Sequence, residues 1–95
     1  MGFEWSLTLK NKSITETLPL IKKHLRDEDI EYLDIDFRGI SIPSSYEGYD
    51  DMLFIINNNH LYYLNNSGYI NGQKIIEQIK QMLVNNGFVV TLKEL

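Results

Sequence analysis

Hydrophobic and polar positions alternate with clear periods along most of the chain, and those periods predict its elements. Phe3, Trp5, Leu7 and Leu9 alternate with Glu4, Ser6, Thr8 and Lys10, a strand with one buried face that places Trp5 in the core. Asn11-Lys12 turns the chain, and Ser13-Ile-Thr-Glu16 reads as a capping box, the hydroxyl and carboxylate satisfying free helix N–H groups. Ile14, Leu18, Ile21 and Leu25 then form one helical stripe. Pro19 lacks an N–H, so the spacing predicts a bent or late first turn and a regular helix from Leu18 to Arg26. Asp27-Glu-Asp29 has the wrong sign for a helix C-terminus and predicts a turn there.

Leu33, Ile35 and Phe37 alternate with Tyr32, Asp34, Asp36 and Arg38, which predicts a second strand with the leucine, isoleucine and phenylalanine inward. Gly39 breaks the pattern. Ile40-Ser-Ile42 is a short candidate strand ending before Pro43, and Ser44 to Asp51 is a polar, aromatic loop. Met52 to Ile56 is an uninterrupted apolar run, read as the central strand. Asn57-Asn-Asn59 is a hairpin turn, because Asn tolerates left-handed backbone, and Leu61 to Leu64 is the return strand. Of Tyr62 and Tyr63, one must face the core. Tyr69-Ile70 is a candidate short extension, after which Asn71 caps a second helix with Ile75, Ile76, Ile79, Met82 and Leu83 on one face. Asn86-Gly87 ends it, and Phe88, Val90 and Leu92 define the last strand. The order β-α-β-(β)-β-β-α-β predicts an α+β two-layer sandwich. About five mostly antiparallel strands carry two helices on one face, in a single globular domain spanning residues 1–95.

Composition changes this picture in one respect. The stretch Asp27–Asp51 holds nine of the 13 acidic residues and one basic residue, Arg38, a formal charge of −8 against −4 for the whole chain. Net acidity disfavours nucleic acid or an anionic membrane as partner and favours a basic protein. No cysteine is present, which rules out disulfides and thiolate metal sites and suits a reducing cytoplasm. The N-terminus lacks the basic and apolar regions of a signal peptide, so a cytoplasmic location is expected.

Candidate chemistry is sparse. Asp34-x-Asp36 on a strand would point both carboxylates to one face, where they could hold a Mg²⁺-type ion. The surroundings are acidic and lack the cations a phosphate substrate needs, so a solvated or partner-facing strip is the favoured reading. His24 and His60 have no second ligand at zinc spacing, and neither a nucleophile elbow nor a phosphate loop occurs. No catalytic residue, metal or cofactor is expected. Tyr46-Glu-Gly-Tyr49-Asp-Asp51 is the strongest feature: tyrosines give rigid contact area, and carboxylates steer a basic partner.

A small, acidic, cysteine-free α+β chain with a Tyr- and Asp-rich edge resembles the immunity proteins of bacterial toxin systems, including contact-dependent growth inhibition. The resemblance is one of size, charge and architecture along the chain, and it transfers no residue. It implies a protein that neutralises a basic toxin such as a nuclease. Phage-encoded inhibitors, anti-CRISPR proteins among them, share the profile. The expectation is a non-enzymatic inhibitor contacting a basic protein through Asp34, Asp36, Tyr46, Glu47, Tyr49, Asp50 and Asp51. A carboxylate-metal enzyme at Asp34 and Asp36 and a structural domain pairing into a homodimer through a sheet edge are the other two classes.

Overall fold

The structure is a computed structural model that describes residues 3–36, 38–43, 50–66 and 69–95, with backbone alone at Asp50 and at 69–72. The element order is β1 (Phe3–Leu9), α1 (Thr17–Asp27), β2 (Leu33–Ile35), β3 (Gly39–Pro43), β4 (Asp50–Asn57), β5 (His60–Asn65), α2 (Tyr69–Asn85) and β6 (Val90–Glu94). The strands form one six-stranded sheet in the order β2-β3-β4-β5-β1-β6, with every described pair antiparallel. Both helices bury their stripes against one side of it, so the α+β sandwich stands, with one strand more than expected.

Directly paired residues share a sheet face, so the registers divide every strand into two sides. The helix-facing side carries the cross-strand row Asp34–Ile40–Phe54–Tyr63–Trp5–Glu94. Its middle is aromatic, with ring centroids 4.8 Å apart for Phe54 and Tyr63 and 5.4 Å apart for Trp5 and Tyr63. Against it pack Ile21 and Leu25 of α1 and Ile76, Ile79 and Leu83 of α2, all fully buried. Tyr63 is therefore the core tyrosine of its pair, and Tyr62 faces the other way, 38% exposed.

Local chemistry explains most boundaries. A 3₁₀ turn over Ile14–Glu16 precedes α1, and the Ser13 backbone N–H donates to the Glu16 carboxylate at 3.0 Å. The buried Thr17 hydroxyl donates to the Ile14 carbonyl at 2.6 Å. Pro19 then falls in the first turn of α1, where a missing N–H costs nothing. The helix stops at Asp27, and Asp29 takes a left-handed conformation, φ 57°, which lets the Ile30 N–H return to the Leu25 carbonyl at 2.8 Å. Asn58, φ 51°, makes the β4–β5 turn. Gly87, φ 87°, closes α2, with the Phe88 N–H donating to the Leu83 carbonyl at 3.1 Å. Gly39 is an integral residue of β3, packed so closely on β4 that an added Cβ would lie 2.6 Å from the Phe54 carbonyl oxygen.

Several expectations are corrected. Tyr69-Ile70 begins α2 and adds no strand, so Asn71 lies inside the helix. Asp50 and Asp51, expected in a loop with Ser44, open β4 instead, and residues 44–49 lie outside the described residues. The orientation of β2 is reversed. Asp34 faces the helix side, opposite Ile40, whereas Leu33 and Ile35 face the open side, 60% and 37% exposed. Phe37 lies outside the described residues.

Two outcomes are expected. Gly39→Ala should lower stability by about 2 kcal/mol or more in urea unfolding, because the atom it meets is backbone and cannot rotate away. Burial pushes the Tyr63 phenol well above its ordinary value. A pKa raised on folding contributes stability that is intact below the unfolded value near 10 and is lost as pH rises beyond it, by up to about 1.4 kcal/mol per pH unit. Urea unfolding at pH 8 and pH 11 should therefore show a smaller alkaline loss for Tyr63→Phe than for the wild type. Equal losses would contradict the assignment.

Candidate functional site

The acidic stretch does not fold into one cluster. Asp34 lies mid-strand on the helix side, where Lys22 of α1 reaches across to pair with its carboxylate at 2.6 Å. Asp36 lies beyond the end of β2, exposed, with φ 60°. The pair therefore shares no face, and the geometry imagined for a bound cation is not formed. Among the described residues, no group of three or more His, Asp or Glu side chains is arranged to hold a metal ion. Asp51 is half-buried at the start of β4, and its carbonyl accepts from the Asn66 N–H at 2.7 Å. The length of β3 separates its end of the sheet from Asp36, on the order of 13 Å. Tyr46, Glu47 and Tyr49 lie outside the described residues, as does the Asp50 side chain.

The fold gathers a different acidic set. The chain leaves α1 through Glu28, Asp29 and Glu31, all exposed, and enters β2 at the end of the sheet where β3 finishes and β4 starts. Pro43 pairs with Asp50 across an irregularity in the ladder at that same end. A groove of about 490 Å³ opens there, lined by Arg26, Asp29, Ile30, Glu31, Tyr32, Leu33 and Pro43. Its wall is braced by a hydrogen bond of 2.8 Å from the Arg26 guanidinium to the Tyr32 hydroxyl. The carboxylates of Glu28, Asp29 and Glu31 form no ion pair among the described residues, unlike Asp27, which pairs with Lys23 at 3.0 Å.

In the sequence, Glu28, Asp29 and Glu31 belong to the acidic stretch and Asp27–Asp29 reads as a helix stop, and no local pattern singles them out as contacts. The signal was present in the density of charge itself, once the turn brings Glu31 back beside Pro43. A second omission is polar. Ser6 and His60 meet across the strands, Ser6 Oγ 3.0 Å from His60 Nδ1, with the imidazole stacked on Tyr62 at a centroid distance of 5.6 Å. Both sit on the open sheet face, no acidic side chain among the described residues pairs with the imidazole, and the bond satisfies the buried Ser6 hydroxyl.

Comparison with known proteins gave no matching family model, no matching characterised protein and no matching solved structure. No helix among the described residues is long and apolar enough to cross a membrane.

The Lys22–Asp34 pair is partly solvated, its side chains 28% and 58% exposed. Solvent screening then limits its worth, and Lys22→Ala and Asp34→Ala should each cost under about 1 kcal/mol, with a coupling of about 0.5 kcal/mol in a double-mutant cycle. A coupling several times larger would mean the pair fixes β2 against α1.

Proposed function

We propose that this chain is a non-enzymatic acidic binding protein that neutralises a basic protein partner, in the manner of an immunity protein against a bacterial toxin such as a nuclease. The observation that carries this reading is the groove at the acidic end of the sheet. Carboxylates at Asp29 and Glu31 stand beside the flat, partly buried ring of Tyr32 and the apolar side chains of Ile30, Leu33 and Pro43. A long cationic side chain has an aliphatic stem and a charged head, and that combination offers surface for both.

The acidic end also acts before contact. Unpaired exposed carboxylates create a negative field that draws a basic partner in and orients it, and the tyrosine supplies area that loses little entropy when it is covered. Asp50 and Asp51 enter from the neighbouring strand at the same end, and the segment with Tyr46, Glu47 and Tyr49 joins Pro43 to Asp50 in sequence. The binding residues of this reading are therefore Glu28, Asp29, Glu31 and Tyr32, with Asp51 at the same end of the sheet. Asp34, held by Lys22, and Asp36, at the far turn, become peripheral. Arg26 of α1 lines the same groove, its guanidinium engaged by the Tyr32 hydroxyl.

The test is capture of partners by the tagged chain from its native host at low salt. It should retain one stoichiometric basic protein that raised salt releases. Glu28→Lys with Glu31→Lys should weaken that complex at least tenfold while the melting temperature shifts by no more than a few degrees, since both residues are exposed. Undiminished capture by the charge-reversed chain would remove the acidic end as the binding site.

A further inference from the structure

The helices cover one side of the sheet, and on the other side two neighbouring rows carry more apolar side chains than a solvated sheet face would. One of its cross-strand rows runs Ile35–Gly39–Ile55–Tyr62–Ser6–Lys93. The next runs Leu33–Ser41–Leu53–Leu64–Glu4, and Leu95 joins it through a backbone N–H donated to the Glu4 carbonyl at 2.8 Å. We propose that this open face docks a second copy of the same chain, face to face about a two-fold axis. The face shares one residue with the acidic end, Leu33, which also lines the groove there.

Shape, area and charge each point to that occupant. Leu33 and Leu95 project from the face, 60% and 59% exposed, and Tyr62 stands between them at 38%. Beside them lie two hollows. One, of about 200 Å³, is lined by Ile35, Arg38, Gly39, Ile55, Ile56 and Asn57 where β3 begins and β4 ends. The other, of about 290 Å³, is bounded by Leu53, Tyr62, Leu64 and Leu95. A face that carries both projections and hollows can receive its own copy, which is what a two-fold interface requires.

The four most exposed apolar side chains of the face, Leu33, Ile35, Tyr62 and Leu95, leave roughly 400 Å² accessible in all, spread from the β2 edge to the β6 edge and within the range of the largest patch on an ordinary monomer. Six strands about 4.8 Å apart and about 18 Å long present on the order of 500 Å² in plan, and side-chain relief brings that near the 800 Å² per partner of a standard interface. Two such sheets would stack about 10 Å apart with strands roughly 30° from parallel, giving four layers, helices outermost.

Charge decides between a second copy and a basic partner. The charged side chains of the two rows are Glu4 and Lys93, and Arg38 lines the smaller hollow beside them. A face with no surplus of acid offers a basic protein little to pair with. The surplus of acid lies at the end of the sheet, where salt screening over about 8 Å limits its effect across the dimer.

Sedimentation equilibrium of the full chain at physiological salt, from about 5 to about 500 µM, tests this. The mass should rise from the monomer's 11.1 kDa towards twice that value. Ile35→Lys and Tyr62→Lys, both at exposed positions outside the acidic groove, should raise the dissociation constant at least tenfold with an unchanged circular dichroism spectrum. Val84→Lys, on the solvent side of α2 and 44% exposed, should leave it unaltered. A monomer at every concentration would overturn the proposal. So would a dimer equally strong in the Ile35 and Tyr62 variants, or a foreign protein that the monomeric chain loses on Tyr62→Lys.

Discussion

The aromatic row Phe54–Tyr63–Trp5 is the contact on which the rest of the molecule depends. These three side chains lie on the adjacent strands β4, β5 and β1, with Tyr63 in contact with both neighbours. A one-residue slip in any of those pairings would turn an aromatic side chain out to solvent and bring Tyr62, Leu53 or Ser6 inward. The register of the central strands is therefore held by burial, and everything at the edges follows from it. Ile40 is placed opposite Phe54, Asp34 opposite Ile40, and Leu33 and Ile35 are left on the far side.

That chain of placements explains why β1, α1, β4, β5 and most of α2 were legible along the sequence and β2 was not. β1 shows four alternations, and the helical stripes run for several turns, so a single reading fits each. In β2 the apolar residues are Leu33 and Ile35, and a local pattern assigns them to the core. The sheet order puts this strand at the edge, where no helix residue needs them and where the lysine of α1 reaches the carboxylate between them. Strand order is a property of the whole chain, so no window of a few residues contains it. Met52–Ile56 held the missing clue: five apolar residues in succession mean that a strand is apolar on both sides, and the open face of β4 is apolar as a result.

The acidic candidate residues divided for the same reason. Their closeness in sequence suggested one patch, but β2 and β3 form a hairpin whose length separates Asp36 from Asp51, and the pleat turns Asp34 away from both. What the fold brings together is the helix exit, Glu28 to Glu31, and the start of β4. Acidic end and apolar face differ in physics, one long-ranged and salt-sensitive, the other short-ranged and dependent on shape, and they meet at Leu33.

The orientation of β2 carries most of this account, and methyl-resolved nuclear Overhauser measurements on the chain at low concentration read it directly. Leu33 and Ile35 methyl groups should show contacts to Leu53 and Ile55 across β3, with none to Ile21 or Leu25 of α1. Contacts from Leu33 or Ile35 to those α1 residues would mean that β2 is turned the other way, with Asp34 on the outer face, and would contradict both the open apolar face and the Lys22–Asp34 pair.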